Sequence, residues 1–301
     1  SMTTKDLLAN EFSRNLGLLT ESEQTRLLGS KVAVAGAGGV GGIHLLTMAR
    51  LGIGKFHIAD LDVFEKVNIS RQFGALQSTA GREKTQVLAE MIRDINPEAD
   101  ITTFPQGVTR ENVEAFLEGT DVYVDGIEFY EVEIRRLLFQ TARAKGLYAV
   151  TAAPLGFGST LQVFDPKGMS FDGYFGINEA MGYYEKLAAF LVGLAPWPYH
   201  SQYLDMNRVN ISQRKGPAVS PSCTLAASLV ATEVVKILTG KRPTKAVPHY
   251  LQIDMLRRKQ RQGYLFMGGA NPLQWLKRKV AHKMILAKVA REQQESAEAP
   301  R

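Results

Sequence analysis

Residues 31–42 read KVAVAGAGGVGG, and this stretch decides the fold class of the chain. Its first five residues form a short apolar run, which is typical of a buried strand, and the glycines follow at once. Gly36 permits a tight turn, Gly38 lets the backbone approach a phosphate, and Gly41 allows a helix to pack closely on the strand. Phosphate would then face the free N–H groups at the start of that helix. The stretch therefore predicts a nucleotide-binding strand–turn–helix unit.

An acidic residue after the next strand supports this interpretation. Asp60 ends the expected strand 56–60, at 24 residues beyond Gly36. A carboxylate in this position can bind the hydroxyl groups of a ribose. The glycines and Asp60 by themselves are compatible with an NAD-dependent oxidoreductase and equally with an ATP-dependent enzyme.

Strands and helices alternate through the first half of the chain. We expect strands at 31–35, 56–60, 100–104, 121–125, 147–152 and 159–164, with helices between most of them. This alternation indicates an α/β fold with a doubly wound, mostly parallel, Rossmann-like sheet. We divide the chain into an N-terminal arm (1–30), a nucleotide-binding half (31–164), an inserted crossover or lid segment (165–215), a returning helix and strand (216–260) and a basic C-terminal tail (261–301).

The composition is that of a soluble globular protein, with 45% hydrophobic and 22% charged residues. Cys223 is the only cysteine, which excludes an intrachain disulfide and a zinc site built from cysteines. We therefore expect no structural zinc and a cytoplasmic location. Cys223 stands before an apolar helical stretch, 225–238, where a cysteine more often packs than reacts.

Positive charge is concentrated at the C-terminal end. Residues 241–301 hold 14 Lys/Arg and 4 Asp/Glu, a net of +10, although the whole chain carries only +6. A basic segment indicates an acidic partner, nucleic acid or an anionic membrane, or else a helix face that is merely solvated. Apolar residues in this tail recur at helical spacing, and we expect that stripe to dock on the body: Leu273, Leu276, Val280, Met284 and Ala287.

A more specific motif follows the second strand. Residues 60–72 read DLDVFEKVNISRQ and resemble a signature of the ThiF/MoeB/E1 adenylyltransferase superfamily. The matching positions are Asp60, Asp62, Val63, Asn68, Arg71 and Gln72. The resemblance extends over roughly residues 12–260 and implies the Rossmann-like E1/ThiF fold.

Three further stretches carry the resemblance. Residues 81–84, GREK, resemble the family's G-x-x-K and end on Lys84, and Asp125 closes a strand where the family has D-x-x-D-N. Residues 12–15, FSRN, resemble an arm that delivers an arginine, here Arg14, to a second protomer. The chain departs from the family pattern at Glu128, and it lacks the cysteines that many relatives carry in the crossover segment.

The resemblance implies ATP-dependent adenylation of a carboxylate by a homodimer. Cations would surround the triphosphate, namely Arg71, Lys84 and Arg14 from the second protomer. Asp125 would hold Mg²⁺, which prefers a few carboxylates together with phosphate oxygens. The remaining matched positions would bind the nucleotide: Gly36, Gly38, Gly39, Gly41, Asp60, Asp62, Asn68 and Gln72.

The sequence is compatible with more than one carboxylate substrate. The family resemblance implies the C-terminus of a ubiquitin-like or sulfur-carrier protein, or a peptide. A tRNA-borne carboxylate, as in tRNA threonylcarbamoyladenosine dehydratases, is the alternative that the basic tail favours. An NAD-dependent oxidoreductase rests on the glycines alone, and a non-enzymatic scaffold is disfavoured by Arg71, Lys84 and Asp125. Because residues 165–215 contain no cysteine, we expect the reaction to stop at the acyl-adenylate or to pass it to an external nucleophile.

Overall fold

A computed structural model describes residues 2–298, and its strands form one sheet. The nine strands within this range are β1 (Lys31–Ala35), β2 (Lys55–Ala59), β3 (Asp100–Phe104), β4 (Val122–Asp125), β5 (Tyr148–Thr151), β6 (Pro154–Leu155), β7 (Gly158–Phe164), β8 (His249–Asp254) and β9 (Lys259–Tyr264). They lie in the order β3-β2-β1-β4-β5-β7-β8-β9, with β6 paired to β7. The first five strands run parallel, and β7, β8 and β9 are added antiparallel. The expected doubly wound, mostly parallel sheet is confirmed.

Helices cover both faces of this sheet. They are α1 (Thr4–Ala9), α2 (Glu21–Gly29), α3 (Gly39–Arg50), α4 (Lys84–Ile95), α5 (Val113–Leu117), α6 (Val132–Ala144), α7 (Phe171–Phe175), α8 (Tyr183–Leu194), α9 (Ser220–Thr239) and α10 (Pro272–Glu298). Residues from α3, α4 and α9 pack on one face, and residues from α5, α6, α7, α8 and α10 pack on the other.

Strand β1 shows why its sequence suits this position. Side chains alternate between the two faces of a strand, so Val32 and Val34 join the core under α3 while Ala33 and Ala35 join the opposite core. All four are fully buried or nearly so. Strands buried on both faces have near-continuous apolar sequences, as β1 has.

Helix α9 is long and apolar enough, by length and composition, to cross a membrane. In the structure it packs against α3 and β7, with Ala226, Val230 and Val234 fully buried. Gly240 ends it in the left-handed conformation, at φ +68°. These contacts give α9 the environment of a core helix.

The segment 165–215 attaches to the sheet through an aromatic core and a buried arginine. The rings of Phe171 and Phe139 lie 4.7 Å apart, so α7 packs on α6. Arg136 of α6 is 3% exposed at its side chain, and its Nη2 lies 2.8 Å from Asp172 and 3.1 Å from Glu179. Like the aromatic core, this ion-pair network ties the segment 165–215 to helix α6.

Helix α10 docks through a face that the sequence did not indicate. The expected docking stripe is exposed to solvent at all five positions, Leu273, Leu276, Val280, Met284 and Ala287. That expectation was therefore wrong, although the helix itself is present.

The opposite face of α10 packs on α8 and on the end of the inserted segment. Ile285 and Val289 are buried there, and the buried carboxylate of Glu292 accepts hydrogen bonds from the backbone N–H groups of Ile211 (3.0 Å) and Ser212 (2.8 Å). Polar groups such as the Glu292 carboxylate help to anchor α10, and a search for apolar periodicity does not count them. For this reason the spacing of hydrophobic residues indicated the wrong face of α10 as the buried one.

Two adjacent substitutions test this orientation. Ile285→Ala removes buried methyl groups and is expected to lower the free energy of unfolding by about 2–5 kcal/mol. Met284→Ala, at a position that is 66% exposed, is expected to change it by less than about 0.5 kcal/mol. Urea denaturation of both variants measures the difference. A larger loss for Met284→Ala than for Ile285→Ala would contradict the observed orientation.

Candidate active site

The glycine loop lies where the order of the sheet reverses. Strand β1 is flanked by β2 on one side and by β4 on the other, and the connections from β1 and β4 leave toward opposite faces. Ligands of open α/β sheets bind in the crevice at the carboxyl ends of such strands. The loop of residues 36–41 and the backbone after Asp125 meet at this crevice.

Three glycines make the crevice possible by allowing backbone to touch backbone. A Cβ on Gly36 would lie 2.2 Å from the carbonyl oxygen of Gly126, and one on Gly41 would lie 1.7 Å from the carbonyl oxygen of Gly36. Gly36 also has a φ of +88°, a conformation that L side chains rarely adopt. The N-terminal turn of α3 is thereby held close to the ends of β1 and β4, with its N–H groups available to a phosphate.

Asp60 clamps this loop to the neighbouring strand. One carboxylate oxygen accepts the N–H of Ala37 at 2.7 Å, and the other accepts the N–H of Asp62 at 2.8 Å. The sequence predicted a ribose-binding carboxylate at this position. The structure adds a role in which Asp60 holds the glycine loop and the turn after β2 together.

The segment that carries Arg71 and Gln72 is shaped by Asn68. The Asn68 side-chain oxygen accepts the N–H of Glu65 at 2.8 Å. The backbone carbonyl of Asn68 accepts the N–H groups of Arg71 (3.1 Å) and Gln72 (2.8 Å). Asn68 is thus a backbone organiser in this structure. It sets the direction in which the two following side chains leave the turn.

Gln72 reaches the glycine loop. A Cβ added to Gly38 would lie 3.3–3.4 Å from the Gln72 amide group. Gln72 is 5% exposed, and its buried Oε1 has no hydrogen-bond partner among the described residues. A buried polar atom without a partner is costly, so this amide is ready to bind a ligand group beside Gly38.

Lys84 lies at the rim of the same crevice. Its Nζ is 3.5 Å from Asp62 Oδ2 and 5.8 Å from the centre of the Phe64 ring. The Lys84 side chain is 7% exposed, whereas that of Asp62 is 57% exposed. The cation is therefore held in place by a carboxylate that is itself accessible to solvent.

Cys223 lies next to Gly39, and the charge of Arg71 acts on its thiol. A Cβ on Gly39 would lie 3.8 Å from the Cys223 sulfur, which packs with Ile43 and Ala227. Burial raises the pKa of the Cys223 thiol, and the nearby charge of Arg71 only partly offsets this effect. Cys223 is 3% exposed, so it is a packed thiol between α3 and α9 and not an activated nucleophile.

The structure changes the interpretation of Asp125. Its carboxylate lies 2.8 Å from the Nε of Arg135, accepts the Thr151 hydroxyl at 2.9 Å and accepts the N–H of Ile127 at 3.0 Å. Both side chains of the ion pair are almost fully buried, at 1% and 3% exposure. Oδ2 accepts both side-chain hydrogen bonds, whereas Oδ1 accepts only the N–H of Ile127 and keeps a lone pair for a ligand such as Mg²⁺.

The described chain holds no preformed cluster of metal ligands. Between residues 2 and 298, no three His, Cys, Asp or Glu side chains lie together as a metal site. A Mg²⁺ ion that is bound mainly by ATP phosphates needs only one or two carboxylates, so the role of Asp125 as its protein ligand stays a prediction. The ion pair with Arg135 was not predicted, because the sequence motif shows where Asp125 ends its strand but not that Arg135 returns to it from α6.

Arg14 is the expected site residue that lies apart from the others. It belongs to a short 3₁₀ helix, Ser13–Asn15, and the Asn15 side chain contacts the carbonyl of Arg50 at the far end of α3. Helix α3 has 12 residues, which corresponds to a length of about 18 Å at 1.5 Å per residue. The arm therefore lies at the opposite edge of the sheet from the glycine loop of its own chain.

An exposed apolar patch surrounds the Arg71 segment. Large hydrophobic side chains are exposed on both sides of Arg71, with exposures between 44% and 71%: Leu61, Val63, Val67, Phe73 and Leu76. A monomeric protein rarely leaves such a group of neighbouring apolar residues uncovered. This patch is therefore a candidate contact surface directly beside the crevice.

Two residues that support the site were not identified from the sequence. Gly126 lets the glycine loop approach β4, and Arg135 neutralises Asp125. The position of Gly126 directly after a strand was an available signal for a close backbone contact. Arg135 carried a weaker signal, since an arginine on an amphipathic helix is usually solvated.

Comparisons with known proteins find similarity over most of the chain. The ThiF family model matches residues 12–265. The SAMP-activating enzyme E1 of Haloferax volcanii is 32% identical over 145 residues, which are 48% of this chain and 53% of that protein. The tRNA threonylcarbamoyladenosine dehydratase of Bacillus subtilis is 35% identical over 119 residues, which are 39% of this chain and 47% of that protein. The chain thus spans about half the length of these curated relatives.

Among solved structures, the crystal structure of E. coli MccB with ATP has a TM-score of 0.64 to this chain at 19% identity. The match covers 88% of this chain and 72% of that chain. At this level of identity the likeness shows the fold alone.

The buried pair predicts a stability effect that does not depend on nucleotide or metal. Asp125→Ala leaves Arg135 buried without its carboxylate, so we expect the free energy of unfolding to fall by about 3–5 kcal/mol without any nucleotide. Glu128→Ala, at an exposed position nearby, should change it by less than about 0.5 kcal/mol. Denaturation in the absence of ATP and Mg²⁺ is the measurement. Unchanged stability of Asp125→Ala would contradict a stabilising role of the buried ion pair.

Proposed function

The chain belongs to the ThiF family, and on that premise we propose that it uses ATP to adenylate a carboxylate. The observation that carries this proposal is the glycine loop at the switch point of the sheet, with the Gln72 amide packed beside Gly38. Arg71 adjoins Gln72 in the chain, and Lys84 contacts Asp62, whose N–H is bonded to Asp60. Phosphate groups require N–H donors and cations at short range, and this crevice supplies both. We assign the activity to the cytoplasm.

The proposed reaction joins two groups of the same charge. A carboxylate oxygen attacks the α-phosphorus of ATP, the new O–P bond forms an acyl-adenylate, and the bond to the β-phosphate breaks to release pyrophosphate. Arg71 and Lys84 are the cations that would lower the electrostatic cost of this approach and stabilise the leaving pyrophosphate. No general base is needed, because a carboxylate is already ionised near neutral pH.

The other roles within the crevice follow from the contacts. The N–H groups at the start of α3 would face phosphate, and Asp60 would keep the loop in place while contacting ribose. The Nε2 group of Gln72 would donate hydrogen bonds that position the phosphate or the attacking carboxylate. Mg²⁺ commonly accompanies ATP on its phosphates, and Asp125 Oδ1 would be its protein ligand, although no step is routed through the ion.

The single cysteine of the chain bears on what happens to the acyl-adenylate. Cys223 is the only cysteine, and it is buried. We therefore propose that the acyl group is not transferred to a thiol of this chain but passes to an external nucleophile. The substrate that we favour is the C-terminus of a small carrier protein or a peptide, since a relative at 32% identity is a SAMP-activating enzyme.

A tRNA-borne carboxylate is the second candidate. The 35% identity to a tRNA threonylcarbamoyladenosine dehydratase favours it. Both candidates share the chemistry of carboxylate activation, so the crevice serves either. They differ in the macromolecule that must dock beside it.

We further propose that the active unit is a two-fold homodimer with composite sites. Arg14 lies about the length of α3 from its own glycine loop, so it can serve a crevice only in a second protomer. The exposed patch from Leu61 to Leu76 offers an apolar surface beside Arg71 on which an arm could pack. Two-fold dimers are also the most common protein assemblies.

Arg71 provides the direct test of the reaction. We expect Arg71→Ala to slow ATP–pyrophosphate exchange by about 10²-fold, the usual effect of losing one transition-state contact. Arg93→Ala, at an exposed position on α4, is the matched control and should retain full activity. Purified small carrier proteins and threonylcarbamoylated tRNA are the substrates to compare. Calorimetry that shows NAD⁺ binding more tightly than ATP would refute adenylation.

Mixing two inactive variants tests the composite site. Arg14→Ala and Arg71→Ala should each be inactive alone, because every site in either homodimer lacks one arginine. A heterodimer of the two contains one site with both arginines, so the mixture should recover part of the exchange activity. Subunit exchange is verified with differently tagged protomers. Complete exchange without recovery would place Arg14 outside the site.

A further inference from the structure

The outer face of α10 is an exposed apolar ridge, and we propose that it docks the protein on an anionic lipid surface. The α10 ridge consists of the five outward-facing residues Leu273, Leu276, Val280, Met284 and Ala287. Four of them are large hydrophobic side chains with exposures of 52–66%. They recur every three or four residues, so they form one continuous stripe along a helix. This inference does not depend on the proposed adenylation.

The ridge is presented rigidly. On the inner face of α10, Ile285 and Val289 are buried and Glu292 is bonded to the backbone of the inserted segment. Near the other end, the guanidinium of Arg278 donates to the carbonyl of Gly269 at 2.8 Å. The helix cannot rotate to bury the ridge without breaking these contacts. The ridge is therefore available to a surface outside the molecule.

The stretch of sequence that leads into α10 and forms it as far as Arg291 carries cations and no carboxylates. Residues 255–270 contain four Lys/Arg, residues 271–291 contain six, and neither stretch contains an Asp or Glu. Only two of these ten cations form salt bridges within the described chain, Lys279 with Glu185 and Lys288 with Glu292. Lys283 and Arg291 are both exposed on the outer side of α10. A basic helix with an apolar face is the pattern of a helix that lies in a lipid interface.

The turn before α10 extends the apolar surface. Phe266 is 64% exposed, and Met267 is 49% exposed and stands in the left-handed conformation at φ +62°. Asn271 joins the turn to the helix, because its side chain donates to the Phe266 carbonyl and accepts the N–H of Leu273. Trp275, on the flank of the ridge, is 54% exposed. Aromatic rings at such positions are favoured at the level of lipid headgroups.

Other occupants match this surface less well. A nucleic-acid backbone would satisfy the cations but would leave the hydrophobic side chains of the ridge without apolar contacts. A second copy of α10 would bring Lys283 and its neighbours against cations of the same kind. An anionic bilayer satisfies both features, since its headgroups pair with the cations while the ridge enters the boundary of the acyl chains.

The position of the ridge is compatible with an open active site. Helix α10 packs on α8, on the face of the sheet opposite to α3 and α9. A protein docked through α10 would therefore keep the glycine loop free for ATP. Membrane docking would concentrate the enzyme at a surface without blocking its crevice.

Flotation of the full chain with lipid vesicles is the first test. We expect the protein to float with phosphatidylcholine vesicles that contain phosphatidylglycerol, and to stay behind with phosphatidylcholine alone or at high salt. The variants Leu276→Ser/Val280→Ser and Lys283→Gln/Arg291→Gln should each weaken binding by about tenfold or more. The matched controls are Met206→Ser and Lys167→Gln, exposed positions outside α10, and both should bind like the unmodified protein. Urea denaturation checks that every variant is folded.

A local probe distinguishes insertion of the ridge from charge attraction alone. Met284→Cys can be labelled with an environment-sensitive fluorophore because Cys223 is buried, and Met206→Cys, at 50% exposure, is the matched control. On anionic vesicles the label at position 284 should shift to the blue and the label at 206 should not. Equal flotation of the ridge variants, or an unshifted label at 284, would overturn the proposal. Binding of mixed tRNA or of an acidic protein that depends on the ridge, without binding to vesicles, would also overturn it.

Discussion

The site depends on one steric constraint, the contact between the glycine loop and the backbone at the end of β4. Gly36, Gly41 and Gly126 approach so closely that a single methyl group at any of them would collide with backbone atoms. This contact places the start of α3 directly over the ends of β1 and β4. The orientation of the N–H groups there, and hence any affinity for phosphate, follows from it.

Polar groups then secure the geometry that the glycines permit. Asp60 holds the loop from the side of β2, and Asp125, neutralised by Arg135 and bonded to Thr151, holds it from the side of β4. Buried charges are tolerated only when they are paired, so the Asp125–Arg135 pair links α6 to the edge of the crevice. The residues that would contact a ligand, Arg71 and Gln72, are carried by a separate turn. One set of residues therefore builds the crevice, and a different set, Arg71 and Gln72, would contact a ligand.

The two exposed apolar surfaces differ in charge and in position. The patch around Arg71 lies beside the crevice, whereas the α10 ridge lies on the opposite side of the sheet. Both expose hydrophobic side chains, but only the ridge is accompanied by a long stretch of sequence without a single carboxylate. These differences in charge and position are why we assign the first surface to a second protomer and the second surface to lipid.

The sequence by itself determined the fold class, the glycine loop and the segment from Asp60 to Gln72. These features are local, since strand alternation, turn glycines and short motifs are encoded by residues that are neighbours in the chain. Only the tertiary structure decided that Asp125 pairs with Arg135, that Arg14 lies far from its own glycine loop, and that the apolar stripe of α10 faces outward. Each of these outcomes depends on contacts between segments that are separate in sequence. A helix with an apolar stripe and a polar face can dock through either one, and here the hydrogen bonds of Glu292 with Ile211 and Ser212 decided which face is buried.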